Sequence, residues 1–197
     1  MTTIREPSQK RSIETKRKII EAGYNLFAKY GYYKINTAQI AKEAGVSTGI
    51  VYGYFNNKKD ILKEVISDYI KKTYNPIFDL LDKIKRDEDI VFLINHILNL
   101  AEEIHKENCD IHRELSAVSQ ADEDISSTFI NLEDEVTIRF VEQLNFQGYK
   151  NVNSENIHLA MNIIESYVHE AVYDKHSYID YSKLKEQVIK IIKFMFD

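Results

Sequence analysis

Residues 37–56 read Thr-Ala-Gln-Ile-Ala-Lys-Glu-Ala-Gly-Val-Ser-Thr-Gly-Ile-Val-Tyr-Gly-Tyr-Phe-Asn, and the fold of the N-terminal part of the chain depends on them. Gly45 separates two short helical segments and can adopt the left-handed conformation of a tight turn without steric cost. Ala41 is small enough to lie where two steeply crossing helices meet, while Val46 and Val51 supply the apolar groups that hold the crossing angle. The stretch predicts a helix-turn-helix, although any pair of helices joined by a glycine turn shares part of this pattern.

Capping residues define where the neighbouring helices begin. Asn36 followed by Gln39 predicts a capping box, Ser47 caps the next helix, and Asn57 with Asp60 caps a further one. The remaining sequence has apolar residues at helical spacing and no useful strand pattern, which predicts an all-α protein with about nine or ten helices. The predicted helices are 12–30, 37–44, 48–54, 58–73, 76–85, 89–106, 110–118, 125–145, 155–175 and 182–196, with Pro76 expected to end the fourth.

The formal net charge of the 197 residues, -5, hides a strong asymmetry. Residues 1–62 hold 11 Lys and Arg against 5 Asp and Glu, a charge of +6, whereas residues 63–197 hold 15 against 26, a charge of −11. A basic segment attracts a polyanion and an acidic one repels it. We therefore predict a flexible basic arm (1–11), a helix-turn-helix domain (12–62) and a ligand-binding and dimerisation domain (63–197).

The single Cys excludes an intramolecular disulfide framework. The sequence has neither a signal-peptide pattern nor an apolar run long enough to span a membrane, so we expect a cytoplasmic protein without a membrane partner.

A family resemblance rests on the stretch Val46-Ser47-Thr48-Gly49-Ile50-Val51-Tyr52-Gly53-Tyr54-Phe55, preceded by Ile40-Ala41 and Ala44-Gly45 and followed by Lys58 and Leu62. Together with the end of the first helix, it closely resembles the DNA-binding domain of TetR-family bacterial transcription regulators over about residues 13–66. The resemblance implies a short helical head on a larger all-helical body.

The resemblance also implies roles for individual residues. The second helix of the motif would enter the major groove with Thr48 and the backbone at Gly49 facing base edges, while tyrosines and Lys58 would contact phosphates. The predicted DNA-binding residues are Thr37, Gln39, Ser47, Thr48, Gly49, Tyr52, Gly53, Tyr54 and Lys58. Lys16, Arg17, Lys18 and Lys59 would add sequence-independent affinity.

One departure concerns specificity. Position 53 is Gly where the family usually has a larger side chain, and residues 47–54 contain no Arg, Lys, Asn or Gln. The side chains that usually make bidentate contacts with guanine and adenine are therefore missing. We expect sequence specificity to depend on Thr48, on contacts with thymine methyl groups and on DNA shape. Gln39 is the nearby amide that could read a base if its cap does not occupy it.

The last two predicted helices carry more apolar surface than a single core-facing stripe requires. We expect one side to face the body's own core and the other an identical subunit, and TetR-like proteins dimerise through these helices. The predicted dimer residues are Ile157, Ile164, Val168, Leu184, Val188, Ile191 and Met195. The alternative is a monomer in which both helices are fully buried.

The middle helices are expected to enclose a site for a small-molecule effector, apolar or cationic because the body is acidic. Candidates combine aromatic bulk with a polar tip or neighbour, although each is also typical of an ordinary core: Tyr74, Phe78, Phe92, His96, His112, Phe129, Tyr167 and Tyr173.

His105, Cys109 and His112 would share one face of a continuous helix, a spacing compatible with zinc. A helix break is expected at 108–110 and no companion ligands are evident, so we predict no metal, no cofactor and no catalytic site. Whether these three residues have a role stays open.

Together these features predict a ligand-responsive DNA-binding regulator, a repressor that binds a palindromic operator as a homodimer and is released by its effector. The alternative is an all-helical protein-interaction module that does not bind DNA.

Overall fold

The computed structural model describes residues 10–85 and 88–196, and within these residues the secondary structure is entirely helical. The prediction of an all-α fold is confirmed. The helices are α1 (Lys10–Tyr30), α2 (Thr37–Glu43), α3 (Thr48–Tyr54), α4 (Lys58–Lys83), α5 (Ile90–Glu107), α6 (Cys109–Ala121), α7 (Glu123–Gln147), α8 (Ser154–Val172) and α9 (Tyr181–Phe196), with a 3-10 turn at Tyr32–Lys34.

The predicted end of the fourth helix before Pro76 is wrong, because α4 continues through this proline to Lys83. A proline inside a helix costs about 3 kcal/mol through its missing N–H and its steric clash. Ile77, Phe78 and Leu81 are at most 4% exposed, and burying each such side chain contributes about 1.5–3 kcal/mol. Continuing the helix past the proline is therefore favourable.

The other helix boundaries fall within a few residues of the prediction. The break expected at 108–110 is present, since Asn108 closes α5 and Cys109 opens α6. Residues 1–9 of the predicted arm lie outside the described residues, whereas Lys10 and Arg11 form the start of α1. None of the described helices is long and apolar enough to cross a membrane.

The chain forms two compact units whose division differs from the predicted boundary at residue 62. The described residues of the first unit are 10–70 and 110–130, and those of the second are 71–85, 88–109 and 131–196. Helices α4 and α7 each contribute residues to both units.

The first unit is held by an apolar core and by polar bonds to segment 110–130. Ile19, Phe27 and Leu62 are fully buried. In addition, Glu114 Oε1 accepts a hydrogen bond from the Tyr32 backbone N–H at 2.5 Å. Polar bonds of this kind, together with ion pairs from Lys59 and Lys63 to the start of α7, add to the burial of Ile111, Leu115 and Val118 in holding segment 110–130 in this unit.

The second unit packs α5, α8 and α9 against one another. Its polar groups include a network in which Glu102 on α5 accepts hydrogen bonds from Tyr167 Oη at 3.0 Å and from Lys185 Nζ at 2.8 Å. Burial alone would raise the pKa of Glu102, but these two donors outweigh it and lower the pKa below its usual value. This network therefore joins the three helices through one ionised carboxylate.

Candidate nucleic-acid interface and effector cavity

Side-chain caps define the start of both helices of the motif. Asn36 Oδ1 accepts from the Gln39 N–H at 3.0 Å, and Gln39 Oε1 accepts from the Asn36 N–H at 2.9 Å, which completes the predicted capping box. Ser47 Oγ accepts from the Ile50 N–H at 3.3 Å at the start of α3. Between the helices Gly45 has φ +68°, a backbone conformation that residues with a Cβ rarely adopt.

Buried apolar residues hold the two helices together and leave the outer side of α3 in solvent. Ile40 and Val51 are fully buried, and Ala41 is 2% exposed. In contrast, Ile50 and Tyr52 on α3 are 43% and 49% exposed. The second helix of the motif therefore presents part of its surface to a partner outside the protomer.

Several predicted DNA-binding residues also have a partner within the first unit. The Gln39 side-chain oxygen accepts the capping-box hydrogen bond, so a bidentate contact with a base would share this oxygen with the Asn36 N–H. Ser47 Oγ is used by its own cap. Tyr54 Oη lies 2.8 Å from Ser12 Oγ on α1, and either hydroxyl can donate in this pair.

Lys58 is more constrained than the sequence indicates. Its Nζ donates to the carbonyl oxygens of Tyr32 at 2.6 Å and Ile35 at 2.7 Å, and it lies 4.0 Å from the centre of the Tyr32 ring. Burial lowers its pKa. Lys58 therefore fixes the chain that leads into α2, and one of its three N–H groups is not needed for these two bonds.

The remaining predicted residues lie on or near the surface of the motif. Thr37 is the half-buried first residue of α2, and Thr48 is half-buried at the start of α3. A Cβ added at Gly49 would meet only Ser47 Oγ, at 3.9 Å, and one added at Gly53 would meet nothing within 4 Å. Neither glycine is therefore required by packing or by backbone conformation.

The basic side chains of this unit differ in how strongly they are engaged. Lys16 pairs with Glu64 at 2.6 Å, and Lys59 pairs with Asp122 at 2.7 Å, a hydrogen bond that raises the pKa of Lys59. Arg17 is exposed, and Lys18 makes a loose 3.6 Å contact with Glu14. Of these four basic residues, Arg17 and Lys18 would therefore break the fewest contacts on binding a polyanion.

Two exposed residues were not predicted from the sequence. Ile50 is the large apolar side chain on the open side of α3, and Tyr33, 68% exposed, packs edge-on against Tyr32 beside Lys58. The helical phase relative to Val51 could have identified Ile50, because adjacent helical residues point in different directions. No local signal identifies Tyr33, since its exposure depends on the 3-10 turn.

In the second unit, two small cavities lie between the helices. One of about 60 Å³ has an apolar lining that includes Ile90, Leu144 and Ile157. The other, of about 40 Å³, is lined by Tyr74, His105 and other residues. The predicted pocket residue Tyr74 is thus found at a cavity, whereas most of the lining consists of aliphatic residues that sequence patterns do not distinguish from ordinary core.

The polar end of the smaller cavity contains an ion pair. His105 Nε2 lies 3.2 Å from Glu165 Oε2, and His105 Nδ1 lies 2.9 Å from the Ala101 carbonyl oxygen. Burial alone would lower the pKa of His105, but Glu165 and the Ala101 carbonyl oxygen outweigh it and raise the pKa. Burial and the nearby Glu165 and Glu133 carboxylates raise the pKa of Tyr74.

The other pocket candidates lie elsewhere. Phe78 is buried beside Phe140, with ring centres 4.5 Å apart, and Phe92 is 44% exposed and stacks on His96. The Tyr167 hydroxyl donates a hydrogen bond to Glu102, and the Tyr173 hydroxyl donates one to the His105 carbonyl oxygen. In the first unit, His112 Nδ1 lies 2.7 Å from Tyr69 Oη, and Phe129 is half-buried.

The predicted dimer residues divide by burial. Ile157, Val168 and Val188 are at most 6% exposed within the protomer, and Ile164 lines both cavities. Leu184 and Met195 are half-buried, and Ile191 is 51% exposed. The exposed apolar residues Leu159 and Phe194 were not among those predicted.

A capped helix-turn-helix with an open second helix defines a class of DNA-binding proteins. Residues 19–65 match the family model described as "Bacterial regulatory proteins, tetR family". This segment of the chain, which contains the helix-turn-helix, is therefore similar to the regulatory proteins of the TetR family.

Named relatives agree over part of the chain. The HTH-type transcriptional regulator HbdR of Aromatoleum sp. (strain CIB) is 40% identical over 77 residues, 37% of this chain and 34% of the relative. The fatty acid metabolism regulator protein of Bacillus subtilis (strain 168) is 34% identical over 86 residues, 42% of this chain and 43% of the relative. The matched region thus spans about a third of the first relative and less than half of the second.

The whole fold is also similar to solved structures. A TetR-family transcriptional regulator from Syntrophomonas wolfei superposes with a TM-score of 0.70 and 23% identity, covering 93% of this chain and 95% of that protein. At this identity the likeness concerns the fold alone.

Proposed function

We propose that the chain is a repressor that binds a palindromic operator as a homodimer in the cytoplasm and leaves DNA when a small-molecule effector occupies the second unit. The observation that carries the proposal is the open side of α3, where Ile50 and Tyr52 are about half exposed on a helix whose opposite side is locked by Val51. A helix held in this way can enter the major groove without rearrangement.

In this proposal base reading is sparse and mostly apolar. Thr48 offers one hydroxyl and Ile50 an aliphatic group suited to thymine methyls, while Gly49 and Gly53 leave room for close approach of the backbone. Tyr52 and Tyr54 donate hydroxyls to phosphates, together with Thr37 and the remaining N–H of Lys58. Specificity then depends on DNA shape as well as on direct contacts.

Dimerisation is supported by apolar side chains that the protomer leaves exposed on α8 and α9. Leu159 is 51% exposed, Ile191 51% and Phe194 82%. A depression of about 310 Å³ between these helices is lined by Leu184, Val188 and other residues and offers a partner helix a place to pack. A two-fold dimer would carry two copies of α3 to the two halves of a palindrome.

Coupling between effector and DNA is proposed to pass through α4. This helix carries Lys58 near the motif and Tyr74 at the smaller cavity. Lys59 and Lys63 on the same helix pair with Asp122 and Asp124 within the first unit. An effector that prefers one position of α4 would shift the population of DNA-competent molecules by the difference in its two affinities.

DNA binding is tested by fluorescence anisotropy with a labelled random duplex at low salt, followed by a salt titration. We expect the logarithm of the binding constant to fall linearly with the logarithm of the salt concentration, with a slope of about −0.9 per phosphate contact. Tyr52→Phe should weaken it, while Tyr178→Phe, the same change at an 81% exposed tyrosine of the second unit, should not. Absence of binding at low salt contradicts the proposal and favours the protein-interaction module.

The dimer is tested by sedimentation of Ile191→Glu against Lys190→Glu, an adjacent exposed position. We expect the first variant to sediment as a monomer and to lose affinity for a palindromic duplex, and the second to remain dimeric. A wild-type protein that is monomeric at micromolar concentration contradicts the proposed assembly.

A further inference from the structure

The two cavities of the second unit have part of their lining in common. Both are lined by Ile97, Phe140, Met161 and Ile164, so these four side chains form the partition between them. Each compartment, at about 60 and 40 Å³, is smaller than the roughly 300–1,000 Å³ of typical ligand sites. Met161 is the most adaptable of the four, with three rotatable bonds and a soft thioether that accepts only a weak hydrogen bond from Thr137 Oγ1 at 3.7 Å, so its movement is the simplest way to join the two compartments.

The two ends of the joined site differ in chemistry. The larger compartment is lined by aliphatic and aromatic side chains such as Ile90, Leu144 and Phe196. An apolar cavity of this kind stays dry and favours a hydrocarbon group. The smaller compartment adds the Thr73 and Tyr74 hydroxyls and the His105–Glu165 pair. The geometry therefore favours a molecule with an apolar chain at one end and a small polar head at the other.

Charge at the polar end selects the head group. Glu165 is the carboxylate of the lining, and Glu133 is close enough for the two carboxylates to raise the pKa of Tyr74. His105 is the one group of this end able to carry positive charge, because among the described residues lining the two compartments there is neither Lys nor Arg. An anionic head would lie against the Glu165 carboxylate, whereas a cationic head would be stabilised by it.

Access to this end is also acidic. Glu165 lines an open surface depression of about 450 Å³ as well as the inner compartment, and its side chain is 48% exposed. The depression carries Glu170 and Asp174 along with His169 and His176. Glu165 thus lies at the mouth of the site, and the acidic surroundings raise the local concentration of a cation.

We propose that the effector is an amphipathic cation, an alkylamine-like molecule whose chain fills the Ile90–Phe196 compartment and whose ammonium group binds between Glu165 and the Tyr74 ring. This inference rests on the proposed function for the role of the ligand and adds its chemical class. In this arrangement the ammonium group forms a charge-assisted hydrogen bond with Glu165 and contacts the Tyr74 ring, two of the groups that line this end.

The test is calorimetric titration of the full chain with n-decylamine, 1-decanol and decanoate at neutral pH, each below its micelle concentration. The three probes share one chain and differ in head charge. We expect decylamine to bind about tenfold or more tighter than decanoate, corresponding to one charge-assisted hydrogen bond, with decanol between them. Decanoate binding as tightly as decylamine, or no binding by any probe, overturns the proposal.

Two variants locate the head group. Glu165→Gln should reduce decylamine affinity about tenfold and leave decanol within about twofold, since one charged partner is replaced by a neutral one. Glu155→Gln, an exposed position on the same helix, should change neither. Equal loss of decylamine and decanol binding in Glu165→Gln would indicate a structural effect and overturn the assignment.

Release of DNA separates this inference from the proposed function. The same three probes are added to the complex of protein with labelled duplex. If decylamine binds but leaves the complex intact, the ligand class stands and the release mechanism fails. If decanoate binds and releases DNA while decylamine does neither, the release mechanism stands and the cationic class fails.

Discussion

The polar groups of the helix-turn-helix and those of the second unit are arranged on different length scales. In the motif, Asn36, Ser47 and Asn57 accept hydrogen bonds from N–H groups three residues further along the chain. In the second unit, Glu165 meets His105 across 60 residues and Glu102 meets Lys185 across 83. The first kind of bond shapes a helix terminus, whereas the second kind reports which helices have packed together.

This difference predicts that the two regions will differ in their tolerance to sequence change. A cap needs only a short polar side chain at one position, and its effect stays within a turn of the helix. A buried network needs all of its members, because removing one leaves the others without a partner in a medium of low dielectric constant. Matched variants in the two regions can therefore separate local from long-range effects.

The largest effect is expected from a matched pair of core truncations, Ile40→Ala in the motif and Leu98→Ala on α5, both fully buried residues. Each should lower the free energy of unfolding by about 2–5 kcal/mol, because the cavity persists after the lost burial. Urea unfolding measures both, and anisotropy measures DNA affinity. Ile40→Ala should lose DNA binding under conditions in which Leu98→Ala retains it; equal DNA affinities would contradict the separation of roles.

A smaller effect is expected from Glu102→Gln, which removes the charge shared by Tyr167 and Lys185. Loss of these charge-assisted hydrogen bonds should cost about 1–3 kcal/mol at neutral pH. The pKa of Glu102 is lower in the folded than in the unfolded state, so its contribution is present above the unfolded-state pKa and is lost as the pH falls through the folded-state value. The variant should therefore flatten the fall of stability in the acid range.

The control for this experiment is Glu186→Gln, an exposed carboxylate next to Lys185. Urea midpoints measured from neutral pH down to about pH 3 cover the range in which a carboxylate titrates. An acid-range slope that is the same in Glu102→Gln and in the wild type would show that the network does not contribute to stability.

Replacing Gly45 and Gly53 by alanine is expected to change the free energy of unfolding in opposite directions. Gly45 has φ +68°, and a Cβ added there would meet nothing within 4 Å, so Gly45→Ala should cost about 1 kcal/mol from backbone strain alone. Gly53 lies in α3 with open space around it, and Gly53→Ala should stabilise by up to about 1 kcal/mol through helix propensity. Thermal unfolding of both variants checks the pair, and a shared sign would contradict it.

The smallest change in stability is expected from Lys18→Gln. Lys18 and Glu14 are 55% and 56% exposed and 3.6 Å apart, so breaking the pair should alter stability by less than about 0.5 kcal/mol. The salt dependence of DNA binding should nevertheless decrease if Lys18 meets a phosphate, since each lost contact removes about 0.9 from the slope. If Lys18→Gln lost as much stability as Glu102→Gln, the prediction that exposed ion pairs contribute less than partly buried ones would be wrong.

Much of the candidate site in the motif could be predicted because its geometry is local. The Asn36–Gln39 capping box, the Ser47 cap and the positive φ of Gly45 all follow from residue types within a few positions. Lys58 shows where that reasoning ends. Its bonds to Tyr32 and Ile35 span 26 and 23 residues, so the sequence indicates a surface lysine where the fold contains a half-buried one.

The cavity and the dimer surface were less predictable for a related reason. Ile164, Val168 and Ile191 all lie on apolar helix faces, yet one lines both compartments, one is fully buried and one is 51% exposed. Periodicity identifies an apolar face but not which neighbour covers it. Likewise Pro76 predicts a helix end, but the burial of Phe78 and Leu81 carries the helix through it.

Residue types and their local spacing were enough to establish the all-helical class, the helix-turn-helix and its caps, because turns, caps and helical periodicity depend on residues close together in the chain. Tertiary packing was needed to establish which lysines are engaged, that segment 110–130 packs with the first unit, and that Glu165 meets His105 at the end of an apolar cavity. Those features depend on contacts across tens of residues, whose formation rests on the summed burial of whole helices and not on any local pattern.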